Sequence, residues 1–167
     1  EGPDVLIVGA GIAGVSAARR LVELGRSVQI VERAATPGGR MATQRGERAN
    51  FDHGAQFFTV RGQELTAVVE RAERARAVVT WTHGFDDPPD GYPRYRGARS
   101  MGVLVGWMID DAGLSVAWST DVVNLRAHPA RSYLVTAPVP EALALLSFSD
   151  LLPRPQLHHE LAKVAYK

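Results

Sequence analysis

Six residues near the N-terminus constrain this chain more than any other feature: Gly9-Ala10-Gly11-Ile12-Ala13-Gly14. They follow the apolar run at residues 4–8 (DVLIV), which has the character of a fully buried parallel strand. They open an amphipathic stretch over residues 12–24, with Val15, Leu21, Val22 and Leu24 among Ala and polar residues, which Gly25 can terminate. Residues 27–32 (SVQIVE) then read as a second, β-branched strand. Strand, glycine turn, helix and strand in about 30 residues predict a βαβ crossover with parallel strands and a right-handed connection.

Each glycine of the motif has a physical task in such a unit. Gly9 makes the tight turn out of the strand, Gly11 lets backbone approach a pyrophosphate, and Gly14 lets the helix pack closely on the sheet. The first helical residues, Ile12 and Ala13, offer free N–H groups at the positive end of the helix dipole. Glu32 lies about 20 residues downstream, where a carboxylate accepts hydrogen bonds from ribose hydroxyls. A plain turn followed by a surface glutamate is the competing reading, and the strand–turn–helix–strand context argues against it. Arg33 follows, then Gly38-Gly39-Arg40-Met41. This second glycine pair brings more backbone within reach of a ligand, and Arg40 has the forked donor geometry for phosphate oxygens. A loop turn with an exposed arginine is the alternative there.

Composition narrows the function classes. The chain has 167 residues, long enough for one domain that needs no covalent staple. It has no Cys, which excludes disulfides, thiolate zinc sites, a redox CxxC pair and a Cys-linked flavin. Its 19 basic and 18 acidic residues give a formal charge of +1, so no overall field draws nucleic acid. No apolar run approaches the ~20 residues of a membrane helix, and a cytoplasmic protein is expected. The histidines at 53, 83, 128, 158 and 159 lack ligand spacing with acidic partners, so no metal site is expected.

Beyond residue 37 the chain turns Gly- and Arg-rich up to residue 50, which predicts an irregular excursion. Residues 63–76 carry Leu65, Val68, Val69 and Ala72 at helical spacing. Strands are expected at 78–82, 114–118, 122–125 and 133–136, helices at 101–109 and 138–146, and a surface loop at 86–97 (DDPPDGYPRYRG).

The runs VLIVGAGIAGVSAARRL (5–21), VERAATPGGRMATQR (31–45) and ANFDHGAQFFTVR (49–61) together resemble the FAD-binding half of renalase-like proteins, within the amine-oxidase flavoprotein superfamily. The resemblance implies an α/β, Rossmann-type FAD-binding domain with a parallel sheet (the FAD/NAD(P)-binding fold), with the substrate domain partial or absent. It implies non-covalent FAD in preference to NAD, with Gly39, Arg40 and Met41 along the pyrophosphate and Gly54, Ala55 and Gln56 near the flavin. His53 reads as a base, a flavin attachment point, or a packed loop histidine, the last favoured because one His without a partner says little. Residues 121–124 (DVVN) resemble the strand whose backbone meets adenine, with Val123 as the contact, and residues 136–140 (TAPVP) resemble the return strand and turn. At both places a core-only reading stands level with the ligand reading.

The dense resemblance covers residues 4–60. The domain reading takes 1–167 as the FAD-binding domain, with 55–110 contributing to a small inserted substrate-domain segment and the family's C-terminal half missing. The family's β-hairpin between 122 and 135 is shortened here to NLRAHPARSYLV, and Arg99-Ser100 replaces the usual Pro-Gly before Met101. The implied reaction is hydride transfer from a dihydronicotinamide-type or amine small-molecule substrate to flavin, with reoxidation by oxygen. No catalytic side chain is identified. Two other classes remain: an NAD(P)-dependent reductase on the same βαβ unit, and a truncated non-catalytic chain needing a partner chain or the missing half. An exposed apolar surface toward the C-terminal end is expected of the latter.

Overall fold

The computed structural model describes residues 2–52 and 54–166. In chain order its elements are β1 (Val5–Val8), α1 (Ile12–Glu23), β2 (Val28–Val31), β3 (Thr43–Arg45), β4 (Asn50–Asp52), α2 (Gln63–Arg74) and β5 (Val78–Thr82). There follow β6 (Arg94–Gly97), α3 (Gly102–Asp111), β7 (Val116–Ala117), β8 (Ser132–Val135), α4 (Val139–Phe148) and α5 (Pro155–Ala162). The chain divides into two compact units, one of residues 1–35 with 114–167 and one of residues 36–113. The segment 55–110 singled out in the sequence falls inside the second.

The first unit is built on a four-stranded sheet in the order β7-β2-β1-β8. Every pairing in it is parallel, with Val5–Val8 aligned on Val28–Val31 on one side and on Ser132–Val135 on the other. A strand buried on both faces must be apolar at consecutive positions, which is why β1 reads VLIV with no alternation. Leu6 joins Val31, Val122, Leu125 and Leu145 in one buried cluster. Ile7, pointing to the other face by strand alternation, is fully buried, as are Val15 and Ala18 of α1. Burying a side chain of this size contributes about 1.5–3 kcal/mol.

The expected strand at 122–125 does not form. Asn124 instead turns the chain: its side chain accepts from the Arg126 N–H at 2.8 Å and caps a 3-10 turn, Leu125–Ala127. The Leu125 N–H is taken by the Ser149 hydroxyl at 2.8 Å, so it is not available to a ladder. Asparagine's local hydrogen bonding wins here over β-branched propensity, while Val122 and Leu125 still fill the core. Likewise β7 keeps only Val116–Ala117 of the expected 114–118.

In the second unit α2 packs on α3 and on β5, and β5 pairs with β6 as an antiparallel hairpin. Val69 and Ala72 of α2, Val78 of β5, and Leu104, Val105 and Met108 of α3 are buried. The excursion after residue 37, expected to be irregular, contains a short hairpin, β3–β4. Its Asp52 carboxylate accepts from the Thr43 hydroxyl at 2.6 Å and from the Met101 N–H at 3.1 Å, at the entrance to α3. Among the described residues no helix is long and apolar enough to cross a membrane.

Candidate functional site

In the first unit the glycine motif leaves β1 and enters α1 as one tight turn. Gly9 has φ +110°, a conformation that L side chains rarely adopt, and its N–H donates to the Val31 carbonyl at 2.8 Å. A Cβ on Gly14 would lie 2.0 Å from the Gly9 carbonyl oxygen, so helix and turn touch backbone to backbone. Gly11 is the N-cap of α1, with no side-chain cap and no acidic residue in the first turn. The N–H groups of Ile12, Ala13 and Gly14 thus lie in a first turn that no side chain caps, at the positive end of the helix. Ala13 is exposed and Ile12 half-buried.

Glu32 stands just past the end of β2, half-buried beside this turn. Its Oε2 accepts from the Ala10 N–H at 2.7 Å and its Oε1 from the Ala34 N–H at 2.8 Å. Its own N–H donates to the Ala117 carbonyl and its carbonyl accepts from the Thr120 N–H, each at 2.9 Å. The acid is therefore fixed in backbone and side chain, and each oxygen keeps a further lone-pair direction for an outside donor. Arg33, next in the chain, is exposed.

Thr136, just past the end of β8, is a part of this turn that sequence spacing does not single out. Its hydroxyl donates to the Val8 carbonyl at 3.0 Å, with the Gly9 carbonyl at 3.3 Å, and its N–H donates to Val8 at 2.9 Å. More than a hundred residues separate the partners, so no local pattern could reveal the contact. Val123 is 68 % exposed, on the irregular segment between the buried Val122 and Leu125, so its side chain is no part of the core.

The second unit brings together two of the predicted segments. Gly39–Met41 forms a 3-10 turn in which Met41 is buried and Arg40 exposed. The Arg40 carbonyl accepts from the Ala55 N–H at 3.0 Å, and a Cβ on Gly54 would lie 1.9 Å from that same oxygen. Gly54 is thus required by close approach of two backbones. Gly54, Ala55 and Gln56 are all exposed. His53 lies outside the described residues. Among the described residues no three His, Asp or Glu side chains come together as a metal-binding group.

These features fit a dinucleotide: a glycine cradle that a Cβ would fill, an uncapped helix N-terminus for phosphate, and a fixed acid for ribose. Residues 7–72 match the model of the NAD(P)-binding Rossmann-like domain. A KsdD-like steroid dehydrogenase of Mycolicibacterium smegmatis is 42% identical over 95 residues, covering 54% of this chain and 16% of that protein. Lysine-specific histone demethylase 1 homolog 1 of Oryza sativa subsp. japonica is 46% identical over 68 residues, 40% of this chain and 8% of that protein. Putrescine oxidase of Kocuria rosea is 40% identical over 67 residues, 40% of this chain and 14% of that protein. The chain carries an α/β, Rossmann-type NAD(P)/FAD-binding domain with a parallel sheet, and its homologues lie in the amine oxidase/FAD oxidoreductase superfamily. It spans no more than 16% of the length of these three relatives.

Proposed function

We propose that this chain is the cofactor-binding part of a renalase-like flavin oxidoreductase that holds FAD non-covalently and acts on a dihydronicotinamide-type or amine substrate in the cytoplasm. The observation that carries the reading is the junction of Glu32 with Ala10, which locks the ribose acid to the phosphate turn. In this reading Gly9, Gly11 and Gly14 clear space for the diphosphate, and Ile12 and Ala13 donate backbone hydrogen bonds to it. Glu32 accepts from the ribose, with Arg33 beside it. Gly39, Arg40 and Met41 border the diphosphate, Gly54, Ala55 and Gln56 the flavin end, and Val123 the adenine.

When bound, FAD would supply a two-electron acceptor for the substrate's hydride, with molecular oxygen as the terminal oxidant giving hydrogen peroxide. The chain's own residues bind and orient; no side chain is assigned a proton-transfer role, because hydride transfer draws much of its rate from orientation. A further segment or a partner chain completes the substrate chamber. Phe148 (77 %), Leu152 (54 %) and Leu157 (53 %), close in sequence and exposed, would offer it apolar surface.

Purification of the chain, a visible absorption spectrum and chromatography of the cofactor released on denaturation test the reading. A yellow protein that releases FAD is expected. A colourless protein that takes up NAD(P) and not FAD favours the second reading, a nicotinamide-dependent reductase, which the description of the matched domain model supports.

A further inference from the structure

The second unit holds an exposed aromatic cluster that the dinucleotide site does not use. Phe57, Trp81 and Phe85 form a triangle with ring centroids 5.2 Å (Phe57–Phe85), 5.4 Å (Trp81–Phe85) and 6.1 Å (Phe57–Trp81) apart, all tilted or edge-to-face. The three side chains are 39 %, 49 % and 57 % exposed. Rings of this size are normally withdrawn from water, so three grouped at the surface need an explanation.

The cluster is held in place by backbone. Phe58 and Tyr95 exchange N–H···O=C bonds at 2.9 Å in both directions and stack their rings, which fixes the neighbouring Phe57 against the hairpin. The β5–β6 ladder pairs Thr80 with Tyr95 and Thr82 with Arg94, leaving Trp81 as the extra residue of a bulge. Bulges re-aim a side chain at the cost of a ladder pairing.

Two observations identify the chemistry such a surface accepts. First, a cation already lies on it: the Arg94 guanidinium sits over the Phe85 ring at 5.8 Å and is also bound by Asp90 and the Tyr92 carbonyl. Second, Asp86 and Asp87 follow Phe85 directly and are exposed, while Asp90 is neutralised by Arg94. Negative ring faces, with two exposed carboxylates following Phe85 in the chain, favour an organic cation over a neutral or anionic molecule.

We infer that Phe57, Trp81 and Phe85, with Asp86 and Asp87, form a recognition site for an organic ammonium ion. The position of the site is relevant to the chemistry proposed above. The segment carrying Phe57 is joined through Ala55 to Arg40, so the cluster begins one residue after the stretch assigned to the flavin end. Its service as the substrate's docking surface rests on the flavin reading; cation binding itself does not.

Ligand-observed NMR on the full chain, with choline against its neutral isostere 3,3-dimethylbutanol, tests the inference. Choline is expected to bind saturably and the isostere about tenfold more weakly. Trp81→Leu should lose about tenfold in choline affinity while Trp81→Phe retains most of it, and the double variant Asp86→Asn/Asp87→Asn should bind weakly even at low salt. Equal binding of the two probes, no binding of choline, or a Trp81→Leu variant that binds as the parent does would overturn it. FAD uptake measured on the same sample separates the two claims. A chain that takes up FAD and ignores choline refutes only the cation site, and one that binds choline without FAD refutes only the flavin reading.

Discussion

The carboxylate of Glu32 and the backbone N–H of Ala10 are joined at 2.7 Å, across the mouth of the turn that leaves β1. The residue expected to hold a ribose therefore also holds the glycine turn expected to meet the phosphates. Glu32→Ala should weaken FAD binding by about 1–3 kcal/mol, the scale of losing hydrogen bonds to a charged acceptor. It should also lower the melting temperature of the ligand-free chain, because the Ala10 N–H loses its partner. Calorimetric titration with FAD checks the first effect, and an unchanged affinity would refute the ribose assignment.

Gly14 tolerates no side chain. The Cβ of alanine there would sit 2.0 Å from the Gly9 carbonyl oxygen and 3.2 Å from Thr136 Oγ1. Gly14→Ala is expected to destabilise the fold by about 1–3 kcal/mol and to spoil the turn for a cofactor. Gly62→Ala is the control, since nothing lies within 4 Å of a Cβ at that position. Urea denaturation of both variants decides it: equal midpoints would contradict the packing described here.

Ser149 is 1 % exposed and serves two backbones. It accepts from the Leu125 N–H at 2.8 Å and donates to the Leu145 carbonyl at 2.6 Å. Ser149→Ala strands the Leu125 donor in the core, and a loss of about 1–3 kcal/mol should follow in thermal unfolding.

Asp4 ties the start of β1 to Ser27, just before β2. The Ser27 N–H and hydroxyl both donate to it at 3.0 Å, and Arg131 stands 3.3 Å away. These bonds, with the Arg131 charge adding to them, hold its carboxyl below the ordinary 3.8. A carboxyl whose folded value is depressed stabilises the fold above its unfolded value, and that contribution is lost as pH falls through the folded value. Asp4→Asn should thus lower the melting temperature at pH 7. The gap between variant and parent should narrow below pH ~4 and close in stronger acid. A gap that is constant with pH would refute the assignment.

The sequence contained the local half of this structure. The β1–α1–β2 unit was legible because each of its signals (the apolar run, the glycines, the acid after the second strand) lies within one short window. The roles of Thr136 and Ser149 were not legible, because their partners at Val8 and Leu125 are distant in the chain and any Ser or Thr fits a loop equally well. The strand expected at 122–125 failed because Asn124 offers the backbone a nearer hydrogen bond than a ladder would. The hairpin β3–β4 leaves no mark in the sequence, because TQR and NFD carry almost no apolar alternation. In the second unit, the meeting of Arg40 with Ala55 was foreshadowed only by the two glycine-bearing segments, not by any spacing between them.

The partnership of β1 with β8 bears on how the molecule comes to be made. Val5 lies opposite Ser132, so β1 leaves the ribosome well before this neighbour, which is encoded more than a hundred residues later. Until Ser132–Val135 is released, β1 offers one bare row of amides and carbonyls to any passing strand. Such distant pairings also slow closure of the native sheet, because a long loop must be ordered before any contact rewards it. The nascent protein is therefore most vulnerable to misassociation after its glycine turn is already encoded, and the arrival of Thr136 at that turn marks the end of this interval.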